Sequence, residues 1–121
     1  MTRKLILVAG LTVLTVSATA AEGRYELGEP VNLGPVVNTA AGDGSPSISV
    51  DGLELYFSDY MVYREGGLGK SDLWVARRES KDAPWQEPVN LGSVVNTDSE
   101  EITPEVSSNG LEHCATITGD G

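Results

Sequence analysis

A segment of this chain occurs twice. Glu29-Pro30-Val31-Asn32-Leu33-Gly34, followed by Val36-Val37-Asn38-Thr39, returns as Glu87-Pro88-Val89-Asn90-Leu91-Gly92 followed by Val94-Val95-Asn96-Thr97. The offset of 58 residues then holds without a gap: Pro46 falls on Pro104, Ser49 on Ser107, and Gly52-Leu53-Glu54 on Gly110-Leu111-Glu112. Of the 30 positions from Glu29 to Ser58, 15 are identical to their partners. A period of this size denotes a repeat architecture in which each repeat is one supersecondary unit that needs its neighbours to bury its apolar faces.

The content of the repeat decides its kind. Apart from the first twenty residues, no segment carries apolar residues at spacings of three and four over three turns, and Gly and Pro punctuate every short run, so helical repeats are excluded. The Leu and Asn ladder of leucine-rich repeats is also absent. The stretch from Ser45 to Arg78 reads instead as a meander. Asp51-Gly52 favours a two-residue hairpin turn, because Gly adopts positive φ without a β-carbon clash. Leu53, Leu55 and Phe57 then alternate with Glu54, Tyr56 and Ser58, the period of a strand with two unlike faces. After Gly66 to Gly69, Leu73-Trp74-Val75-Ala76 is apolar on both faces and therefore expects cover on both. Four strands per repeat are predicted, over about Ser47–Val50, Leu53–Ser58, Asp72–Arg78 and Trp85–Asn90. Four antiparallel strands are the make-up of a propeller blade. The loops Asp59–Lys70 and Gly92–Thr103 account for a period longer than the usual blade, and Gly66 to Gly69 is read as a flexible loop.

Taken together, Pro46, Ser49, Asp51-Gly52, Leu55-Tyr56-Phe57-Ser58, Gly66-Gly67, Asp72-Leu73-Trp74, Trp85 and Pro88-Val89-Asn90-Leu91-Gly92 resemble the WD-repeat-like β-propeller repeat of exported bacterial proteins, the type also found in TolB-like proteins. The resemblance covers the chain from Glu29 onward. It implies an all-β fold, a partial β-propeller with about one complete four-stranded antiparallel blade (about 46–103) flanked by parts of two others. It implies no catalytic residues, since members share a blade and differ in what they bind. Two departures stand out. Propellers use about 4 to 8 blades, and the second repeat erodes, with His113, Cys114 and Ala115 in the places of Leu55, Tyr56 and Phe57.

Ahead of the repeats, Arg3 and Lys4 precede an apolar run from Leu5 to Val16, and Ala18-Thr19-Ala20 supplies small residues before Ala21. This is the layout of a cleaved signal peptide over residues 1–20, too short for a membrane span of about 20 residues. Residues 21–28 form a polar lead-in and 29–121 the repeats. No Cys lies near the cut, which argues against a lipid anchor, so the mature chain is expected to be periplasmic or extracellular. Losing Arg3 and Lys4 leaves 6 basic against 18 acidic residues, a net charge of about −12. That balance repels phosphate backbones and anionic lipid, arguing against nucleic-acid and membrane partners. Scattered through turns, the acids read as a solubilising surface.

Candidates for chemistry are few. His113 and Cys114 are single examples of their types, and neighbours on a strand point to opposite faces, which disfavours a nucleophile and base pair. One His and one Cys also fall short of a zinc site, and the lone Cys forms no internal disulfide, which leaves burial as a small hydrophobe, the favoured reading, or pairing between chains. Asp51, Glu54, Asp59, Glu65 and Asp72 surround the turn and the glycine loop, and oxygen ligands at a loop could hold Ca²⁺, but no dense Asp-x-Asp-x-Asp-Gly loop occurs and turn chemistry explains Asp before Gly. Glu100-Glu101 reads as solvated surface. The glycine loop lacks the Lys-Ser/Thr of a phosphate cradle. Trp74 is assigned to the core, and Trp85 to packing in preference to an exposed stacking surface.

These features predict a secreted, non-enzymatic binding or scaffolding module for a protein, peptide or glycan ligand, with no cofactor or metal and no catalytic residue. Open blade faces and strand edges would favour self-association. Two alternatives stay open. One is the remnant of a propeller-type glycan hydrolase using Asp51 or Asp59. Ser49-Val50-Asp51-Gly52 resembles the hairpin turn of sialidase blades, with Leu53 or Leu55 where that turn expects an aromatic. The other is an incomplete gene product without activity of its own.

Overall fold

The computed structural model describes residues 3–9, 12–19, 24–40, 42–60, 64–110 and 113–118, with side chains described over 28–40, 42–60, 64–110 and 115–118. Strands β1 (Arg3–Ala9), β2 (Thr12–Thr19) and β3 (Arg24–Asn32) form one antiparallel sheet in that order. β4 (Gly42–Ile48), β5 (Glu54–Tyr60), β6 (Leu73–Arg77) and β7 (Val89–Asn90) form a four-stranded antiparallel meander, and β8 (Glu100–Val106) pairs with β9 (His113–Thr118). No helix occurs among the described residues, so the chain is all-β. Residues 1–20, read above as a leader, contain β1 and β2; pairing of these strands has no bearing on whether a leader is removed.

The alternation along β5 sorts the meander into two faces. Leu55 lies opposite Ala76 and Phe57 opposite Trp74, and with Val37 they form a buried apolar cluster on which Leu33, Ile48 and Trp85 pack. Tyr56, Ser58, Leu73 and Val75 are buried on the other face. There β8 lies against the sheet: the Val106 amide donates to Ser47 Oγ (3.1 Å), and Ser71 bridges to Glu100. Ser47 sits opposite Tyr56, which places its hydroxyl on that same face. Residues of the chain itself thus lie against both faces of the complete meander.

Several predicted details shift. The first strand starts at Gly42 and ends at Ile48, because a bulge between Gly44 and Ser47 takes up Pro46 without the ladder needing its absent amide hydrogen. The hairpin after it is not a two-residue turn. Ser49 and Glu54 close a four-residue loop, with Ser49 N donating to Glu54 O (2.9 Å) and Gly52 N to Ser49 O (2.8 Å). Gly52 takes φ +75°, as its place in the loop requires. The last strand shrinks to Val89–Asn90. Its neighbour Trp85 stays half-buried against the cluster, with the Arg78 guanidinium 4.3 Å above its ring.

Local geometry recurs at the 58-residue offset. β8 spans the residues that β4 spans one period earlier, and its bulge lies between Ile102 and Glu105. Ser45 and Thr103 share a left-handed φ of 48° and 51°. Asn38 N bonds Gly34 O at 2.9 Å and Asn96 N bonds Gly92 O at 2.8 Å. Thr39 N donates to Asp43 Oδ2 at 2.8 Å, and Thr97 N to Glu101 Oε2 at 3.0 Å.

Candidate functional site

The acidic residues singled out in the sequence separate into two groups at opposite ends of β5. At the hairpin end, Asp51 Oδ1 accepts from Ser49 Oγ (2.5 Å) and from the Leu53 amide (2.9 Å). The Ser49 hydroxyl, then the Leu53 amide, hold this carboxyl below its ordinary range. Glu54 accepts the Tyr56 hydroxyl at Oε2 (2.8 Å) and Arg77 Nε at Oε1 (2.8 Å). The hydroxyl is the leading cause of its lowered pKa, and partial burial opposes it. Tyr56 responds in the other direction: burial first, and then the neighbouring Glu54 carboxylate, push its hydroxyl up to about 12.

At the far end, β5 and β6 bring Asp59 and Asp72 side by side, both buried. Asp59 Oδ1 accepts the Asp72 amide (2.7 Å) and Oδ2 the Arg64 amide (3.0 Å). Asp72 Oδ1 accepts the Gly69 amide (3.0 Å), while Oδ2 accepts the Leu68 amide and Asn90 Nδ2 (2.8 Å). Both carboxylates are spent on holding main chain. The glycine loop read as flexible is therefore tied at Leu68 and Gly69. A β-carbon on Gly69 would lie 2.2 Å from Thr97 O and 2.9 Å from Ser99 O, so the close approach of two backbones requires Gly there.

Behind this loop is a polar network that the sequence reading missed. Asn96 Oδ1 accepts the Leu73 amide (2.8 Å), and its Nδ2 donates to Leu73 O (3.0 Å) and Asn90 Oδ1 (2.8 Å). One side chain thus stands in for a strand partner of Leu73. The same Asn pair occurs one period earlier, where Asn38 Nδ2 donates to Asn32 Oδ1 (2.9 Å). Identity of both asparagines across the repeat was the available signal. Arg64 had none. Its guanidinium donates to Asp43 Oδ1 (2.9 Å) and Val37 O (2.5 Å), and stacks 5.0 Å from the Phe57 ring and 5.5 Å from the Trp74 ring. Among the described residues, Arg64 Nε and Trp74 Nε1 are buried without a hydrogen-bond partner.

Glu101, expected on a solvated surface, is fully buried. It bonds Thr97 at the main-chain amide and at the hydroxyl (2.5 Å), in the manner of Asp43 with Thr39. Glu100 is exposed and accepts Thr118 Oγ1 (3.0 Å), and Glu65 lies exposed in its turn. The side chains of His113 and Cys114 lie outside the described residues; their backbones pair with Val106 and Glu105.

Chemically, this arrangement binds its own backbone. Glu54 and Asp59, five residues apart on β5, are separated by about 17 Å, and Asp51 lies beyond Glu54. The carboxyl pair of a glycosidase spans about 5 to 9.5 Å, so Asp51 and Asp59 do not face one substrate bond. Among the described residues, no three His, Cys, Asp or Glu side chains converge as metal ligands, and no helix is long and apolar enough to cross a membrane. A small pocket beside the meander is lined by Leu33, Val37, Asp43, Pro46 and Phe57 among others, an apolar recess with a single carboxylate at its edge. No family model, curated protein or solved structure matches the chain.

Proposed function

We propose that this chain is an exported β-propeller segment of the WD-repeat-like, TolB-type kind, working as a non-enzymatic binding or scaffolding module. The observation that carries the reading is the use of the acidic side chains. Asp51, Glu54, Asp59, Asp72 and Glu101 are engaged by amides, hydroxyls and one arginine of the chain itself. A carboxylate already accepting two or three such bonds is a structural acceptor and a poor general base. The 58-residue period and the coverage of the four-stranded sheet on both faces support a blade-like unit stacked against its neighbours. In this reading residues 1–20 are removed on export, and the ligand is a protein, peptide or glycan.

Two measurements test it. Immobilised glycans and peptides should give saturable binding of at least one probe by the purified mature chain, with no turnover of glycosides or peptides. Hydrolysis that disappears in Asp51→Asn or Asp59→Asn while the fold persists would transfer the chain to the hydrolase class. Expressed with residues 1–20 in a bacterium, the protein should be recovered outside the cytoplasm with Ala21 at its N-terminus.

A further inference from the structure

The turn that follows β8 repeats the turn that follows β4, with one chemical exchange. Ser49-Val50-Asp51-Gly52 becomes Ser107-Ser108-Asn109-Gly110 at the 58-residue offset. The two turns share their geometry. Gly52 N donates to Ser49 O (2.8 Å) and Gly110 N to Ser107 O (2.9 Å), and the glycines take φ of 75° and 71°. Ser49 Oγ donates to Asp51 Oδ1 at 2.5 Å, and Ser107 Oγ to Asn109 Oδ1 at 2.5 Å. Their surroundings differ. A β-carbon on Gly52 would lie 3.2 Å from the Lys81 side chain, whereas among the described residues nothing comes within 4 Å of one on Gly110. Ser108, Asn109 and Gly110 are all exposed.

We propose that Asn109 is a site of spontaneous deamidation, in which the Gly110 main-chain nitrogen attacks the Asn109 side-chain carbonyl while the Ser107 hydroxyl polarises it. The bond from Gly110 N to Asn109 Cγ forms, and the bond from Cγ to Nδ2 breaks. Ammonia leaves with the Gly110 amide proton, and a cyclic succinimide remains. Water then opens the ring. Cleavage of the new bond gives aspartate at position 109, and cleavage at the main-chain carbonyl gives isoaspartate. A hydroxyl that donates to the carbonyl oxygen stabilises the negative charge developing there during attack. Nucleophile and carbonyl belong to adjacent residues, so the step is intramolecular. Glycine leaves the attacking nitrogen without a shielding side chain, and that nitrogen has to give up one turn bond, to Ser107 O. The other four asparagines precede Leu33, Thr39, Leu91 and Thr97, whose side chains crowd the same approach. Each of them is also held by hydrogen bonds within the paired asparagine networks. The first copy displays the product in place: Asp51 in the same loop, with the Ser49 hydroxyl and the Leu53 amide on its carboxylate. Deamidation thus adds a negative charge in a loop type that already carries one, whatever the chain binds.

The test is incubation of the full chain in mildly alkaline buffer, followed by digestion and peptide mass spectrometry. A gain of one mass unit should accumulate at Asn109, with ammonia released in equal amount and isoaspartate formed beside aspartate. Asn32, Asn38, Asn90 and Asn96 should stay unchanged over the same period. Ser107→Ala leaves the Asn109-Gly110 sequence intact and should slow the reaction several-fold, because the polarising hydroxyl is gone. Gly110→Ala should nearly stop it. Alanine is strained at that positive φ, so Ser107→Ala keeps the question open to refutation even where Gly110→Ala disturbs the loop. No gain at Asn109 in the folded chain, while a synthetic peptide Val-Ser-Ser-Asn-Gly-Leu-Glu gains it, overturns the site. A rate unchanged or raised in Ser107→Ala overturns it as well, since the loop would then give the attack no help. Gain spread evenly over all the asparagines has the same meaning.

Discussion

Replacing Asn96 by Ala tests whether one side chain really substitutes for a strand at the edge of the meander. Three hydrogen bonds disappear, but their consequences are unequal. Leu73 O keeps the Leu91 amide (3.1 Å), and Asn90 Oδ1 keeps the Gly92 amide (2.8 Å). The Leu73 amide loses its Asn96 acceptor and is left buried. An orphaned buried donor costs about 1–3 kcal/mol, and the two other bonds add roughly 0.5–1.5 each, so the substitution should destabilise by about 3 kcal/mol. Asn38→Ala, at the half-buried equivalent position, should cost less because water can reach the groups exposed there. The assay is urea denaturation followed by tryptophan fluorescence, reported by Trp74 and Trp85, with hydrogen exchange at Leu73 as the local readout. A loss below about 0.5 kcal/mol in Asn96→Ala, with the Leu73 amide as protected as in the parent chain, would refute the reasoning.

Three further outcomes follow from the same contacts. Gly69→Ala should destabilise by more than about 2 kcal/mol in the same denaturation series, since its β-carbon would meet two backbone oxygens that have no rotamer with which to yield. Arg64→Ala leaves the Asp43 carboxylate buried without its cation and should cost about 3 kcal/mol; Arg64→Lys should recover only part, having no planar group to stack on Phe57 and Trp74. For Tyr56→Phe, the Glu54 carboxyl should titrate at higher pH than in the parent chain, measured by NMR, because the hydroxyl is the first cause of its depression. The same titrations fix the pH dependence of stability. Asp51 and Glu54 stabilise above their unfolded pKa values of about 4, and this is lost as pH falls through their lowered folded values. Tyr56 stabilises below about 10, and its contribution is lost as pH rises towards about 12.

What the sequence disclosed followed from the physics of each signal. The alternation from Leu53 to Ser58 and the apolar run from Leu73 to Ala76 were legible because side-chain direction along a strand is fixed by its pleat. The faces they define are those on which Phe57 and Trp74, or Tyr56 and Val75, meet. The hairpin was misjudged because Asp51-Gly52 favours a tight turn in isolation. Here Ser49 and Asp51 take up the amides of Glu54 and Leu53, so the wider loop leaves fewer donors unbonded. Glu101 was misplaced for a related reason. A carboxylate next to another acid looks solvated until Thr97, four residues earlier, supplies the donors that make burial tolerable. Arg64 lay beyond sequence reasoning altogether, since its partners Val37 and Asp43 are far from it along the chain and only folding brings them together.

The two copies act as each other's control. Backbone bonds of the 33–39 and 91–97 turns agree to within a few tenths of an ångström, so turn geometry does not explain why one valine is buried and the other exposed. Nor does the residue type, which is identical. The copies also differ in what lies beside the turn: β5 carries β6, with Trp74 opposite Phe57, whereas among the described residues β9 pairs with β8 alone and Ala115 holds the place of Phe57. Moving a valine from water into an apolar cluster stabilises by about 1.5 kcal/mol or more, and seating an aromatic beside it adds more again. That free energy is realised at Val37 and largely absent at Val94 and Val95, which stay exposed. Substitutions graded in size should therefore alter folding stability in step with apolar area at Val37, and far less at Val95, as urea denaturation would read. If substitutions at Val95 changed the stability of the chain as strongly as those at Val37, the difference in burial between the two copies would not carry the difference in energy assigned to it here.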